Sequence, residues 1–267
     1  MNKKLLMGIL LVGCIAPAWA NPLLQLQERD LEKIQKARST AVDNKPTTCK
    51  ALPAAESTRL GIIQQMLAEG RPHAAIAHLD AARIEAPQSD LLRADGLRET
   101  GRGKEAAVLY QKLLSSCVAG NAYQGLGLLA THEGNVSEAI LQLQAASEAL
   151  PIDPNIRNDY GYALLLADEN QGALHEFLTA IELAPGNRQA AHNLLLLLYR
   201  MGEVDKAIKF AEQFGIGAPD VERLKKQALL PLPDVALLNE VQETASSKAR
   251  AQPDISETAY LKDKELK

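Results

Sequence analysis

Aligned on five alanines, the apolar and polar positions of this chain repeat. Ala75, Ala106, Ala139, Ala173 and Ala207 follow one another at spacings of 31, 33, 34 and 34 residues. Five positions before each stands a turn residue: Gly70, Gly101, Gly134, Asp168 and Gly202. Twelve before stand Ile63, Ala94, Gly127, Gly161 and Leu195; four after stand Leu79, Tyr110, Leu143, Phe177 and Ala211. Seven after come Ala82, Leu113, Ala146, Ala180 and Phe214, and twelve after come Pro87, Val118, Pro151, Pro185 and Pro219. So regular a period of about 34 residues is the mark of an array of small helical units that stack to bury a shared core.

The column contents state how each unit is built. A turn residue between two apolar stretches makes two helices, and small residues at two facing columns let those helices approach closely. A larger residue wedges between them, and proline cannot continue the second helix. This pattern resembles the tetratricopeptide repeat (TPR), a 34-residue helix–turn–helix unit with Gly or Ala at position 8, Ala at 20, a large apolar residue at 24, Ala at 27 and Pro at 32. The stretch YGYALLLADENQGALHEFLTAIELAPGN, residues 160–187, carries all of them. The resemblance implies an all-α, right-handed superhelical solenoid of about five helix pairs plus a capping helix.

The expected organisation is a leader at 1–20, an N-terminal helix and linker at 21–55, and an array at 56–219. The units run 56–86, 87–119, 120–153, 154–187 and 188–219. A polar-faced capping helix is expected at 220–230, since an exposed stack needs an end. The polar, aperiodic tail at 231–267 reads as disordered. Within it, Asp234 to Val241 reads as a linker with some apolar character, with a short docking helix as the alternative. Before the array, Leu23 to Arg38 is expected to form a helix on Leu24, Leu31 and Ile34.

The leader changes the picture of where the array works. Lys3 and Lys4 precede an apolar stretch too short to span a bilayer, followed by small residues, which is the make-up of an export signal. Its end can be read two ways. LVGC, ending at Cys14, has the form of a lipobox, whereas AWA before Asn21 has the form of an ordinary signal-peptidase site. Cleavage after Ala20 gives the fuller apolar region and a polar mature start. The expected location is the periplasm or the periplasmic side of the outer membrane, with a membrane met only through a lipid anchor or a membrane-embedded partner.

Loss of residues 1–20 would move the net charge from −4 to −6. No basic patch remains, which argues against a nucleic-acid partner. Three cysteines occur, and either cleavage leaves Cys49 and Cys117 as an even pair in an oxidising compartment. A disulfide is expected. The start of the first helix of repeat one and the end of the second helix of repeat two, where Cys117 lies, fall on the same edge of a solenoid, roughly 20 Å apart at typical helix spacing; Cys49 precedes the first by seven residues, which reach at most about 25 Å extended.

The chemistry of a binding array lies on its first helices, at repeat positions 2, 5, 6, 9, 12 and 13. Those positions give a groove of Gln124, Leu128, Asn158, Asp159, Tyr162, His192, Asn193, Leu196 and Tyr199. Amides both donate and accept, and tyrosines offer rigid area with a polar tip. Such a surface suits an extended or helical peptide of another protein. Lysines that would clamp a terminal carboxylate are absent from position 5, which holds Leu60, Leu91, Gln124, Asn158 and His192. The histidines form no HExxH, and GLG at 125–127 sits inside a helix with no strand before it, so it is not a phosphate loop. No catalytic residue, cofactor or metal site is expected, and the chain is read as a non-enzymatic scaffold.

An exported array of about five such repeats resembles the TadD family of tight-adherence (Flp) pilus assembly proteins, over RNDYGYALLLADENQGALHEFLTAIELAPGNRQAAHNLLLLLYRMGEVD at 157–205. That resemblance implies an accessory role in pilus assembly or secretion, pilotin-like towards a secretin or another subunit of the machinery. Two alternatives stay open: a general periplasmic TPR chaperone or adaptor unrelated to pili, and a type IV pilus pilotin-like protein. Repeat architecture is specific for fold and weakly specific for function.

Overall fold

The computed structural model describes residues 48–230, and helices account for all of its regular structure there. Eleven helices follow one another among the described residues: α1 (Ala54–Ala68), α2 (Pro72–Ala82), α3 (Pro87–Glu99), α4 (Gly103–Leu113), α5 (Ala119–His132), α6 (Val136–Ala149), α7 (Pro154–Leu166), α8 (Asn170–Leu183), α9 (Arg188–Arg200), α10 (Val204–Gln213) and α11 (Ala218–Ala228). They form five helix pairs and one further helix, the solenoid the repeat implies. The leader at 1–20 with Cys14, the helix expected at Leu23 to Arg38, and the tail at 231–267 lie outside the described residues.

The turn column does what its residues allow. Gly70, Gly101, Gly134 and Gly202 have φ of 69°, 77°, 76° and 74°, the left-handed region in which a side chain is strained. Asp168 takes the same conformation at φ 60°, which a short polar side chain tolerates. Helix starts are set by prolines in the first turn of α2, α3, α7 and α11, where no N–H is missed, and by side-chain caps. Asn135, Asp153 and Asn187 accept from the first amides of α6, α7 and α9. Pro151 and Pro185 stand just beyond α6 and α8. Pro219 behaves differently: it opens α11, so the last helix begins at Ala218 rather than at Asp220.

The core is the sum of the small and large columns. All five repeat alanines are fully buried, and Leu79, Tyr110, Leu143 and Phe177 wedge beside them with almost no exposure. Glycine inside α5 and α7 brings the wedges close. A Cβ on Gly125 would stand 2.3 Å from the Tyr110 ring, one on Gly127 2.5 Å from Leu143, and one on Gly161 2.8 Å from Phe177. The GLG stretch is thus a packing device within a helix.

First helices pack on one another in succession, α1 on α3, α3 on α5, α5 on α7 and α7 on α9, as well as on their own partners. Second helices make their main contacts with first helices alone. The first helices therefore form the inner layer. Along one edge, the segment before α1 is tied by a Cys49–Cys117 disulfide to the turn that leads into α5, with Cα atoms 5.0 Å apart. Cys49 packs against the core of the second repeat and Leu52 against that of the first, so the segment straps two repeats.

Candidate protein-binding groove

The inner layer of α5, α7 and α9 holds a chain of polar contacts that crosses from helix to helix. Gln124 Nε2 donates to Asp159 Oδ2 at 2.7 Å, and Asn158 Nδ2 donates to Asp159 Oδ1 at 3.3 Å. Asn193 Nδ2 donates to Asn158 Oδ1 at 2.8 Å, and Gln189 Nε2 to Asn193 Oδ1 at 3.3 Å. Both links between helices join residues 35 apart, position 5 of one repeat to position 6 of the next. The ladder registers three successive first helices.

This use of the amides revises the groove. Asn158 and Asn193 are buried, 6% and 7% exposed, and are joined by one hydrogen bond, their remaining amide groups being met by Asp159 and Gln189. Leu196 is buried at 5%. Those three are part of the wall behind the surface. Gln124, Leu128, Asp159, Tyr162, His192 and Tyr199 remain half-buried and form what a ligand could touch. A buried amide that has a partner gains little from a ligand, while its loss would leave the other amide unpaired.

A second polar cluster lies in the second repeat. The Tyr110 hydroxyl donates to Asp95 Oδ1 at 2.6 Å, and Arg98 Nε donates to the same hydroxyl at 3.4 Å. Burial pushes the Asp95 carboxyl above the usual carboxylate range, against the pull of Tyr110 and Arg98. Burial also raises the Tyr110 phenol, helped by the neighbouring Asp95. Asp159 is raised for the same first reason, with Gln124, Asn158 and Arg98 acting in the opposite sense. Arg98 thus acts electrostatically on two carboxylates from two repeats. Asp95 and Arg98 hold positions 9 and 12 of their repeat, so counting the same positions in repeat two would have put them beside the groove.

Two further contacts bear on the site. Arg157 bridges Glu176 at 3.0 Å and donates through Nε to the Pro151 carbonyl at 3.0 Å, fixing the start of α7. His192 Nε2 stands 4.0 Å from Asp220 and so links the groove to α11. Among the described residues, no three His, Cys, Asp or Glu side chains group so as to hold a metal, and no helix is long and apolar enough to cross a membrane.

No protein-family model matches the chain. A TPR repeat-containing protein of Pseudomonas aeruginosa is 35% identical to it over 205 residues, covering 70% of this chain and 83% of that protein. Among solved structures, a thermophilic TPR protein of Thermus thermophilus matches 66% of this chain and 100% of its own, with a TM-score of 0.51 and 22% identity. MamA from Desulfovibrio magneticus RS-1 matches 65% of this chain and 98% of its own, with a TM-score of 0.47 and 18% identity.

Proposed function

From the premise that this chain belongs to the TPR repeat-containing proteins, we propose that it is a scaffold whose inner layer binds a segment of one protein partner in the bacterial envelope. The observation that carries this reading is the surface left by the ladder. Gln124, Leu128, Asp159, Tyr162, His192 and Tyr199 combine apolar area with polar tips on a frame of registered helices. Rigid aromatics lose little entropy on binding, and a surface held in register is ordered before the partner arrives.

The finer reading is a role in tight-adherence pilus assembly or secretion, pilotin-like towards a secretin. It is supported by the export-type leader joined to an array of five repeats, and it places the chain on the periplasmic side of the outer membrane. The test is crosslinking in intact cells followed by capture of the tagged full chain. Recovery of a secretin or pilus subunit is expected, and recovery of envelope proteins without either overturns the pilus role. In the purified complex, Tyr162→Ala with Tyr199→Ala should weaken binding by about 2 kcal/mol or more, the scale of an interface hot spot. Unchanged affinity in a folded double variant overturns the groove assignment.

A further inference from the structure

One carboxylate of the inner layer is supplied unlike the other acids that the fold covers. Among the described residues, Glu176 is the acid buried most deeply, and Arg157 pairs with it at 3.0 Å. Asp95 meets the Tyr110 hydroxyl, which in turn receives Arg98 Nε. Arg98 Nη2 is turned to Glu99 Oε1 at 3.3 Å. Asp159 is half-buried too, but its partners are the amides of Gln124 and Asn158, which are neutral. Among the described residues no cation pairs with it, and Arg98 acts on it electrostatically without bonding to it. Taking a carboxylate out of water is costly without an opposite charge.

The hydrogen bonds of the ladder also have a direction. Gln189 donates to Asn193, Asn193 to Asn158 and Asn158 to Asp159, while Gln124 donates to Asp159 from the other side. Every link runs towards Asp159, which ends the ladder as an acceptor. Each of its two oxygens takes one of these bonds. An ionised carboxylate has about four lone-pair sites, so each oxygen keeps room for a further donor. Asp159 holds an inner-face position and is only half-buried, so that room is reachable from the groove.

What lies next to it is apolar. Leu128 follows Gln124 by four residues on α5, and Tyr162 follows Asp159 by three on α7. Both therefore stand one turn further along the same helix faces. α5 and α7 pack on each other, and both side chains are half-buried. An acceptor with a charge to be met, beside two apolar side chains, fits a residue with an aliphatic stem and a cationic head.

We propose that the partner segment places a lysine or arginine between α5 and α7, its cationic head on Asp159 and its aliphatic stem against Leu128 and Tyr162. This rests on the inner layer being the binding face, and it adds what the partner must bring there. The chemistry is the reverse of a carboxylate clamp, in keeping with the absence of lysine from position 5. An arginine offers two parallel donors to the two oxygens, and a lysine a point charge.

Short random peptides selected by phage display against the full chain, then synthesised with both ends blocked, test this by calorimetry. Peptides whose binding needs Tyr162 and Tyr199 should carry a lysine or arginine at one fixed place. Changing that residue to methionine, or Asp159→Asn in the protein, should each weaken binding about tenfold. Made together, the two changes should cost little more than either alone, which marks a direct pair. Asp159→Asn should meanwhile be at least as stable as wild type in urea, so the loss is not one of folding. Peptides that need the tyrosines but lack a basic residue, or bind Asp159→Asn as well as wild type, overturn the cation site and leave the groove standing. Losses that simply add also overturn it, because the basic residue then sits elsewhere. A selection that gives no peptide dependent on the tyrosines overturns the groove itself, and the cation site with it.

Discussion

At the scale of single residues, close approach outweighs helix propensity. Alanine is a better helix former than glycine by about 1 kcal/mol, so Gly125→Ala would stabilise an isolated α5. In the array its Cβ would stand 2.3 Å from the Tyr110 ring, which is fully buried and held by its hydroxyl on Asp95. The ring cannot step aside, and overpacking of this kind costs about 1–3 kcal/mol. Urea unfolding should show Gly125→Ala less stable than wild type by about 1–2 kcal/mol; equal or higher stability would show that the wedge yields. The groove carboxylates give a pH test. Asp95 and Asp159 have folded pKa values above the unfolded ones, so the native state binds more protons between the two values. Their contribution is present below the unfolded carboxylate pKa and is lost as pH rises through the folded one. Asp159→Asn keeps an acceptor for Gln124 and removes the half-buried charge. It should stabilise the array at neutral pH, with the gain vanishing on acidification below the usual carboxylate range. A gain that persists in acid would show that charge is not its cause. The alanine, wedge and turn columns were legible in the sequence because they recur along the chain with one period. Asn158 and Asn193 were legible as inner-face residues but not as each other's partners. Their contact spans one repeat plus one residue, an offset set by how successive repeats rotate.

At the scale of elements, the second repeat departs furthest from the repeat pattern and carries the most added restraint. Its proline column holds Val118, and it gains the Asp95–Tyr110–Arg98 cluster and the strap closed by Cys49–Cys117. The pairing was readable from redox compartment and reach. The cluster was not, since it needs a phenol of α4 to meet a carboxylate of α3. Crosslinking residues 68 apart restricts the unfolded chain, and in the chain-entropy model a loop of that size contributes about 4 kcal/mol. Cys49→Ser with Cys117→Ser should therefore lower stability by about 2–4 kcal/mol in chemical denaturation. The loss should be concentrated in α1 to α4 by hydrogen exchange, because repeat arrays couple mainly to nearest neighbours. Peptide mapping of the envelope-exported protein without reductant should recover the two cysteines in one linked peptide pair; free thiols at both sites would remove the strap from the account.

At the scale of the whole molecule, the array sets what can be bound, and the proposed export leader would set where. A rigid groove gains affinity from preorganisation, but its encounter rate with a membrane-embedded partner depends on tethering. An anchored scaffold meets such a partner at an effective concentration far above that of a free one. Stable anchoring needs more than one acyl chain or a second attachment, so lipid on Cys14 would also need the full set of chains that a lipobox directs. The local sequence argues for release: cleavage after Ala20 preserves the longer apolar region and leaves polar Asn21 first, whereas cleavage before Cys14 would leave the apolar run IAPAWA at the start of the mature chain. Intact mass of the exported protein should therefore begin at Asn21, and Cys14→Ala should leave its fractionation unchanged. A mass carrying acyl chains on Cys14, with membrane fractionation lost in Cys14→Ala, would instead make the scaffold a surface-bound one. The groove would then have to face a partner reachable within one linker length of the bilayer, and the 34 residues between Cys14 and the strap at Cys49 would cap that reach at roughly 110–120 Å, less any length taken up by a helix at Leu23 to Arg38.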